Sequence, residues 1–248
     1  MNLLLQNDLY SQKFSDVLTP SKKTNTPNYL LSISAGINLS NYFNDKFLDN
    51  SPFDIGEVSG EYDIYGSSSG IGYNFNSELE VPLNSNFSYL FGLSYIKSNF
   101  NSSGIVEEFC YKSDSTKILS NTNNSFKVNL DYISFSPSIK LRLSDNYFTL
   151  GFVTSYCINS NYEVSRFFSS KNCKFKNMEN EIKINSEVPK VVNLHYAFRL
   201  GYGLIYRLSN TVEWSPELLF NFGIYPINKS NNSDLGIYSL NSSFRFSL

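Results

Sequence analysis

Apolar and polar positions alternate with a period of two through the last part of the chain. Leu194, Tyr196, Phe198, Leu200, Tyr202, Leu204, Tyr206 and Leu208 share one face, and His195, Arg199, Gly201, Gly203 and Arg207 the other. That period denotes extended strand rather than helix. Two further runs follow. One sets Val212, Trp214, Pro216, Leu218, Phe220, Phe222 and Ile224 against Glu213, Ser215, Glu217, Asn221 and Gly223, with Leu219 out of phase. The other sets Tyr238, Leu240, Phe244, Phe246 and Leu248 against Ser239, Asn241, Ser243 and Arg245. The same alternation predicts strands at about 30–41, 67–83, 87–100, 126–143 and 147–158, for eight in all.

The connections alternate as well. Short turns are predicted around Asn84–Asn86, Ser144–Asn146 and Ser209–Asn210, and longer segments over 42–66, 101–125, 159–189 and 226–234. Short and long connections in strict alternation characterise outer-membrane barrels, with short periplasmic turns and long extracellular loops. The chain is therefore predicted to be all-β, an eight-stranded antiparallel up-and-down transmembrane β-barrel over 29–248, preceded by a flexible polar tail over 1–28. A soluble lipocalin-type barrel would turn the same faces inside out, and alternation alone does not separate the two. Pro137 and Pro216 lie inside predicted strands, where neither donates to the ladder, so a bulge or irregular pair is expected at each.

Composition narrows the class. There are 18 Tyr and 21 Phe against one Trp, and 41% of residues are hydrophobic. A mean hydropathy of -0.25 does not argue against the membrane, because only alternate residues of a barrel strand meet lipid. No apolar run reaches the roughly 18 residues of a spanning helix. A net charge of -2 gives no electrostatic case for nucleic acid. The start, Met1–Gln6, has no basic flank and does not read as an export signal, so a signal outside this sequence or an earlier start is expected. Cys110 and Cys173 fall in predicted outer loops, where an oxidising exterior permits a bridge but does not require one.

An eight-stranded barrel leaves an interior that side chains fill. The inward face is predicted to hold Glu78, Glu80, Lys140, Arg142, Arg199, Arg207, Glu213, Glu217 and Arg245. Opposite charges in such number point to a paired network that plugs the lumen, since an isolated buried charge is expensive. Aromatics are expected in two girdles. Phe87, Tyr147, Tyr206, Trp214 and Phe246 fall toward the periplasmic rim, and Tyr42, Phe100, Tyr132, Tyr196, Tyr225 and Tyr238 toward the outer one. The acidic segment from Asp45 to Asp63 reads as a solvated loop. His195 is the one histidine and the one candidate general base. It reads instead as a rim residue, because Ala197 stands where a histidine-based lipid-modifying barrel would place a serine. No metal or other cofactor is expected, nor a catalytic site.

Gly36–Asn41, Ile133–Ile139, Tyr202–Arg207 and the terminal Phe244–Leu248 resemble strands of the PorT-like outer-membrane β-barrels of Bacteroidetes-type bacteria, related in architecture to OmpA. The resemblance covers about 30–248 and departs at Leu248, where an aromatic is usual. The loop asymmetry and the charged interior lead to the expectation of a monomeric barrel in contact with bacterial outer-membrane lipid, with a structural or interaction role through its surface loops. The resemblance implies an alternative, an envelope component of a type IX-like protein-export machine in contact with other envelope proteins.

Overall fold

A computed structural model of the chain describes residues 29–43, 68–112, 116–175, 179–187, 192–224 and 234–248. The tail 1–28, the acidic segment 44–67 and Tyr225 lie outside the described residues. The described residues form ten antiparallel strands: β1 (Leu30–Phe43), β2 (Ser68–Pro82), β3 (Phe87–Tyr111), β4 (Lys117–Leu143), β5 (Asn146–Phe168), β6 (Glu181–Glu187), β7 (Leu194–Leu204), β8 (Tyr206–Arg207), β9 (Val212–Gly223) and β10 (Asp234–Ser247). Eight of them close a ring in the order β10-β1-β2-β3-β4-β5-β7-β9, and β9 pairs back to β10. β6 pairs with β5 and β8 with β9. Thus β7 and β8 are two pieces of one course where an unbroken strand was expected, and β6 falls in a segment expected as loop.

The break at Ile205 has a local cause. Gly203 pairs with Glu217 and Tyr206 with Trp214, so the running register puts Pro216 across from Leu204. Proline has no N–H to offer there. The Ser215 hydroxyl donates to the Leu204 carbonyl instead, at 2.5 Å. Ser215→Ala is expected to leave that acceptor unmet and to lower stability by about 1–3 kcal/mol. Adding Pro216→Val, which restores an N–H, should recover part of the loss in urea unfolding of the refolded protein. At Pro137 the β4–β5 ladder skips Ser136 and Pro137, and the register is the same on both sides. That gap is the irregular pairing expected at the proline, and a separate register shift lies higher, where Tyr132 pairs with Cys157 but Asp131 with Asn159.

Side-chain chemistry fixes the tight turns. The Asn84 carboxamide oxygen accepts from the backbone N–H groups of Asn86 and Phe87 at 2.9 and 2.8 Å. The Ser209 hydroxyl oxygen accepts from those of Thr211 and Val212 at 3.2 and 3.1 Å. Both are polar side chains closing a chain reversal that lacks strand partners.

The faces decide between the two barrels left open by the sequence. Ile71, Leu93, Phe152 and Ile37 stand 70%, 61%, 58% and 61% exposed on the outside, while Asn38, Asn74, Ser134 and Ser136 are buried inside. A water-soluble barrel does the reverse, and soluble surfaces rarely carry apolar patches beyond a few hundred Å². On β4 the outward apolar run from Ile133 to Leu143 covers roughly 33 Å of strand, or about 25 Å along the normal at a ~40° tilt. That is the height of a lipid-facing band. Above it the outer face turns polar at Lys97, Asp131, Asn159 and Asn161.

β3, β4 and β5 do not stop at that line. The segments expected as loops at 101–125 and 159–189 are largely strand, and the β3–β4 ladder runs from Phe87↔Leu141 to Tyr111↔Lys117. From Leu130 to Lys117, β4 alone rises through roughly 45 Å of strand. β6 joins this outer sheet along β5, from Phe167↔Glu181 to Asn161↔Glu187.

Candidate functional site: the barrel interior and its outer extension

The interior has two zones. Near the tight turns, Lys140 Nζ donates to Glu80 Oε2 at 2.5 Å, and both side chains are nearly inaccessible. Arg142 Nη2 lies 3.2 Å from Glu213 Oε2 and 4.0 Å from Glu80 Oε1. Lys140 and Arg245 each lie 4.4 Å from the centre of the Tyr147 ring, so the ring's electron-rich faces add to the neutralisation. Arg245 feels the charges of Glu80, Glu217 and Glu78, and Arg199 donates from Nε to Asn221 Oδ1 at 2.9 Å. Four carboxylates, Glu78, Glu80, Glu213 and Glu217, thus face four cations, Lys140, Arg142, Arg199 and Arg245. Arg207, expected in this set, is exposed on β8 instead, past the break at Ile205. Without it the charges on the inner face balance.

Tyr147 departs from the girdle for a steric reason. It pairs across the ladder with Gly203, and its ring fills the space a Cβ would occupy there, 2.1 Å from the ideal position. An aromatic laid over a cross-strand glycine in this way covers the bare backbone. Tyr132 and Phe100 also face inward, 1% and 2% exposed. The positions that do stand at the periplasmic end of the outer face are Phe87, Tyr206, Trp214 and Phe246. There Tyr206 stacks on Trp214 at 5.1 Å, and Trp214 Nε1 donates to Ser242 Oγ at 2.9 Å. Toward the outer end stand Tyr196 and Tyr238, together with Tyr73, Tyr95 and Tyr156, which the pattern did not single out. Tyr42 pairs with Leu235 and Ser68 at the end of β1.

Above the charged zone the lumen becomes apolar. Ile96, Phe100, Phe126, Val128, Leu130, Tyr132, Cys157, Tyr162, Val164 and Ile237 form one buried cluster. Ile237 comes from β10, across the ring from β3–β5, so the cluster spans the outer mouth. His195 lies beside it, inward, with its ring 6.4 Å from that of Tyr132 and its backbone paired with Ser155.

The outer sheet has its own fastening. Cys110, at the end of β3, and Cys173, beyond β5, are joined by a disulfide buried among Phe168, Phe175 and Ile182. Tyr111 and Lys174 exchange backbone hydrogen bonds at 2.9 and 3.0 Å beside it. The buried Arg166–Glu108 ion pair links the same two courses below, again across β4. On β6, hydrogen bonds from Lys183, at 3.0 Å, and from the Ser165 hydroxyl hold the Glu181 carboxyl below its ordinary value.

No family model matches the chain, and none of the curated proteins does. Among solved structures it is similar to Ail, the attachment invasion locus protein of Yersinia pestis, with 14% identity over 89% of this chain and 100% of that one, at a TM-score of 0.34. It is also similar to Neisserial surface protein A, with 13% identity over 89% and 96% and a TM-score of 0.37. The outer membrane protease OmpT from Escherichia coli shows 10% identity over 90% and 98%, with a TM-score of 0.35. Likeness this partial transfers no activity, ligand or partner to this chain.

Proposed function

We propose that the chain is a non-enzymatic outer-membrane β-barrel whose lumen is closed and whose outer sheet is the part that meets other molecules. The inversion of polarity carries this reading: an apolar outer band about 25 Å high around a polar, charge-balanced interior is the arrangement lipid demands. Two elements support the closed lumen, the ion-pair network at the periplasmic end and the apolar cluster across the outer mouth. A water-filled path would need polar lining through both zones. Catalysis draws no support from His195, which packs against Tyr132 behind that cluster.

The outer sheet suits recognition, since it is held rigid by the disulfide and stands clear of the lipid band. The PorT-like resemblance would make the partner another envelope protein of an export assembly.

Planar-bilayer recording of the purified protein tests the closed lumen. The wild type is expected to pass no steady current, and Phe100→Ala with Tyr132→Ala, which empties the mouth cluster, to give intermittent openings. Steady conductance in the wild type would overturn the sealed lumen without touching the lipid-facing band.

A further inference from the structure

The outer sheet ends on β6 at one side and on the upper part of β3 at the other, and the two edges are built differently. β6 carries Glu181, Lys183, Asn185 and Glu187 on its outward face, charged side chains of the kind that keep an edge from pairing. The upper part of β3 has no such guard. Its ladder with β2 ends at Ser69↔Asn101, while its ladder with β4 continues to Tyr111↔Lys117.

Parity decides which backbone groups face outward from that edge. The Lys112 N–H donates to the Thr116 carbonyl on the β4 side, whereas Tyr111 exchanges its two bonds with Lys174 on the other side. The β3–β4 ladder has no register shift between, so the N–H and C=O groups of Ser103, Ile105, Glu107 and Phe109 also point away from β4. No described residue meets them. They line a slot roughly 23 Å long, bounded by Ser69 at Asn101 and by Lys174 at Tyr111. The antiparallel bridge to Lys174 shows the pairing this edge accepts. Its lower end, Ser103, lies about 20 Å of strand beyond Lys97, or about 15 Å along the membrane normal, which clears the headgroup layer.

The side chains of the slot have their own pattern. Ile105 and Phe109 are 69% and 65% exposed, and Leu119, exposed as well, lies across from Phe109 on β4. Glu107 stands exposed between them and makes no ion pair among the described residues. A strand laddered here sets its own residues directly opposite these, so the face that complements the slot reads apolar, basic, apolar. Two occupants from the protein itself fit poorly. The segment 44–67 has six acidic residues against Lys46 alone, the wrong charge for Glu107. In a second copy held in the same membrane β3 ascends too, so the two edges cannot pair antiparallel.

We infer that the β3 edge takes one extended segment of a partner protein, paired antiparallel along Ser103–Phe109, with Lys or Arg opposite Glu107 and apolar side chains opposite Ile105 and Phe109. The inference rests on the proposed role of the outer sheet and names the kind of partner it meets. Backbone hydrogen bonds supply the affinity, and the alternate side chains select the segment.

The test is fluorescence anisotropy of a labelled peptide, Thr-Val-Thr-Lys-Thr-Val-Thr, titrated with the full chain in mild detergent. Saturable binding is expected, about fivefold weaker when Glu replaces the peptide's Lys, and absent when the Val, Lys and Val nitrogens are methylated, since their N–H groups would face β3. Glu107→Lys should reverse the preference between the Lys and Glu peptides. Ile105→Pro, which an edge position tolerates, should abolish binding of both. No saturable binding, equal binding of the Lys and Glu peptides, or binding of the methylated peptide would overturn the inference. So would binding that appears only when 45–66 is replaced by a Gly/Ser linker, which assigns the edge to that segment, or a dimer that the peptide dissociates, which assigns it to a second copy. A wild type without the mobility shift on boiling would fault the barrel and its outer sheet together, and a shifting wild type that binds no peptide would fault the edge alone.

Discussion

Glu80→Gln is expected to destabilise the barrel by about 3–5 kcal/mol, the usual consequence of removing one partner from a buried ion pair. Lys140 is 0% exposed, and with Glu80 neutral it would face Arg245 and Arg142 with no carboxylate in hydrogen-bond contact. The double variant Glu80→Gln with Lys140→Met removes both charges together and should recover most of the loss, giving a strong non-additivity. Guanidinium unfolding of protein refolded into vesicles measures both, followed through Trp214, the single tryptophan. A neutral single variant, or a double variant equal to the sum of the two singles, would show that the network does not hold the lumen.

Removing the disulfide by Cys110→Ala with Cys173→Ala is expected to weaken the outer sheet by about 4 kcal/mol, the chain-entropy value for a loop of 63 residues. The effect should be local. Above the lipid band, the disulfide, the Arg166–Glu108 pair, the Tyr111–Lys174 bridge and the packing around Phe168 and Phe175 tie the strand ends across β4. Limited proteolysis of the variant in vesicles should therefore cut β3–β5 above the membrane faster, while the embedded ring keeps its mobility shift on boiling. Unchanged proteolysis would mean that packing around Phe168 and Phe175 suffices.

The ring of eight was legible because lipid on one side and packed polar groups on the other impose a strict period of two. The same parity contained more than was drawn from it. Tyr132 and Tyr147 are out of phase with Ile133 and Phe148, and Phe100 with Tyr95, so each belongs inside. Assigning them by nearness to a strand end overlooked the alternation.

The outer sheet was hidden for a different reason. Above the membrane both faces of β3–β5 meet water or one another, and polar residues such as Asn121, Asn123 and Ser125 stand where lipid would have required apolar ones. A strand there looks like a loop. Arg207 was misplaced because parity says nothing about a ladder that breaks, and the break follows from Pro216 in the neighbouring strand. The disulfide needed three-dimensional proximity, since spacing does not determine pairing.

The most direct test of the account is fractionation of cells making the full-length protein with an export signal, followed by gel mobility with and without boiling. Recovery in the outer membrane with a shift on boiling is the predicted result, because a closed ring with an apolar exterior resists detergent until heated. A protein recovered in the soluble fraction with no shift would contradict the lipid-facing barrel, and with it the closed lumen.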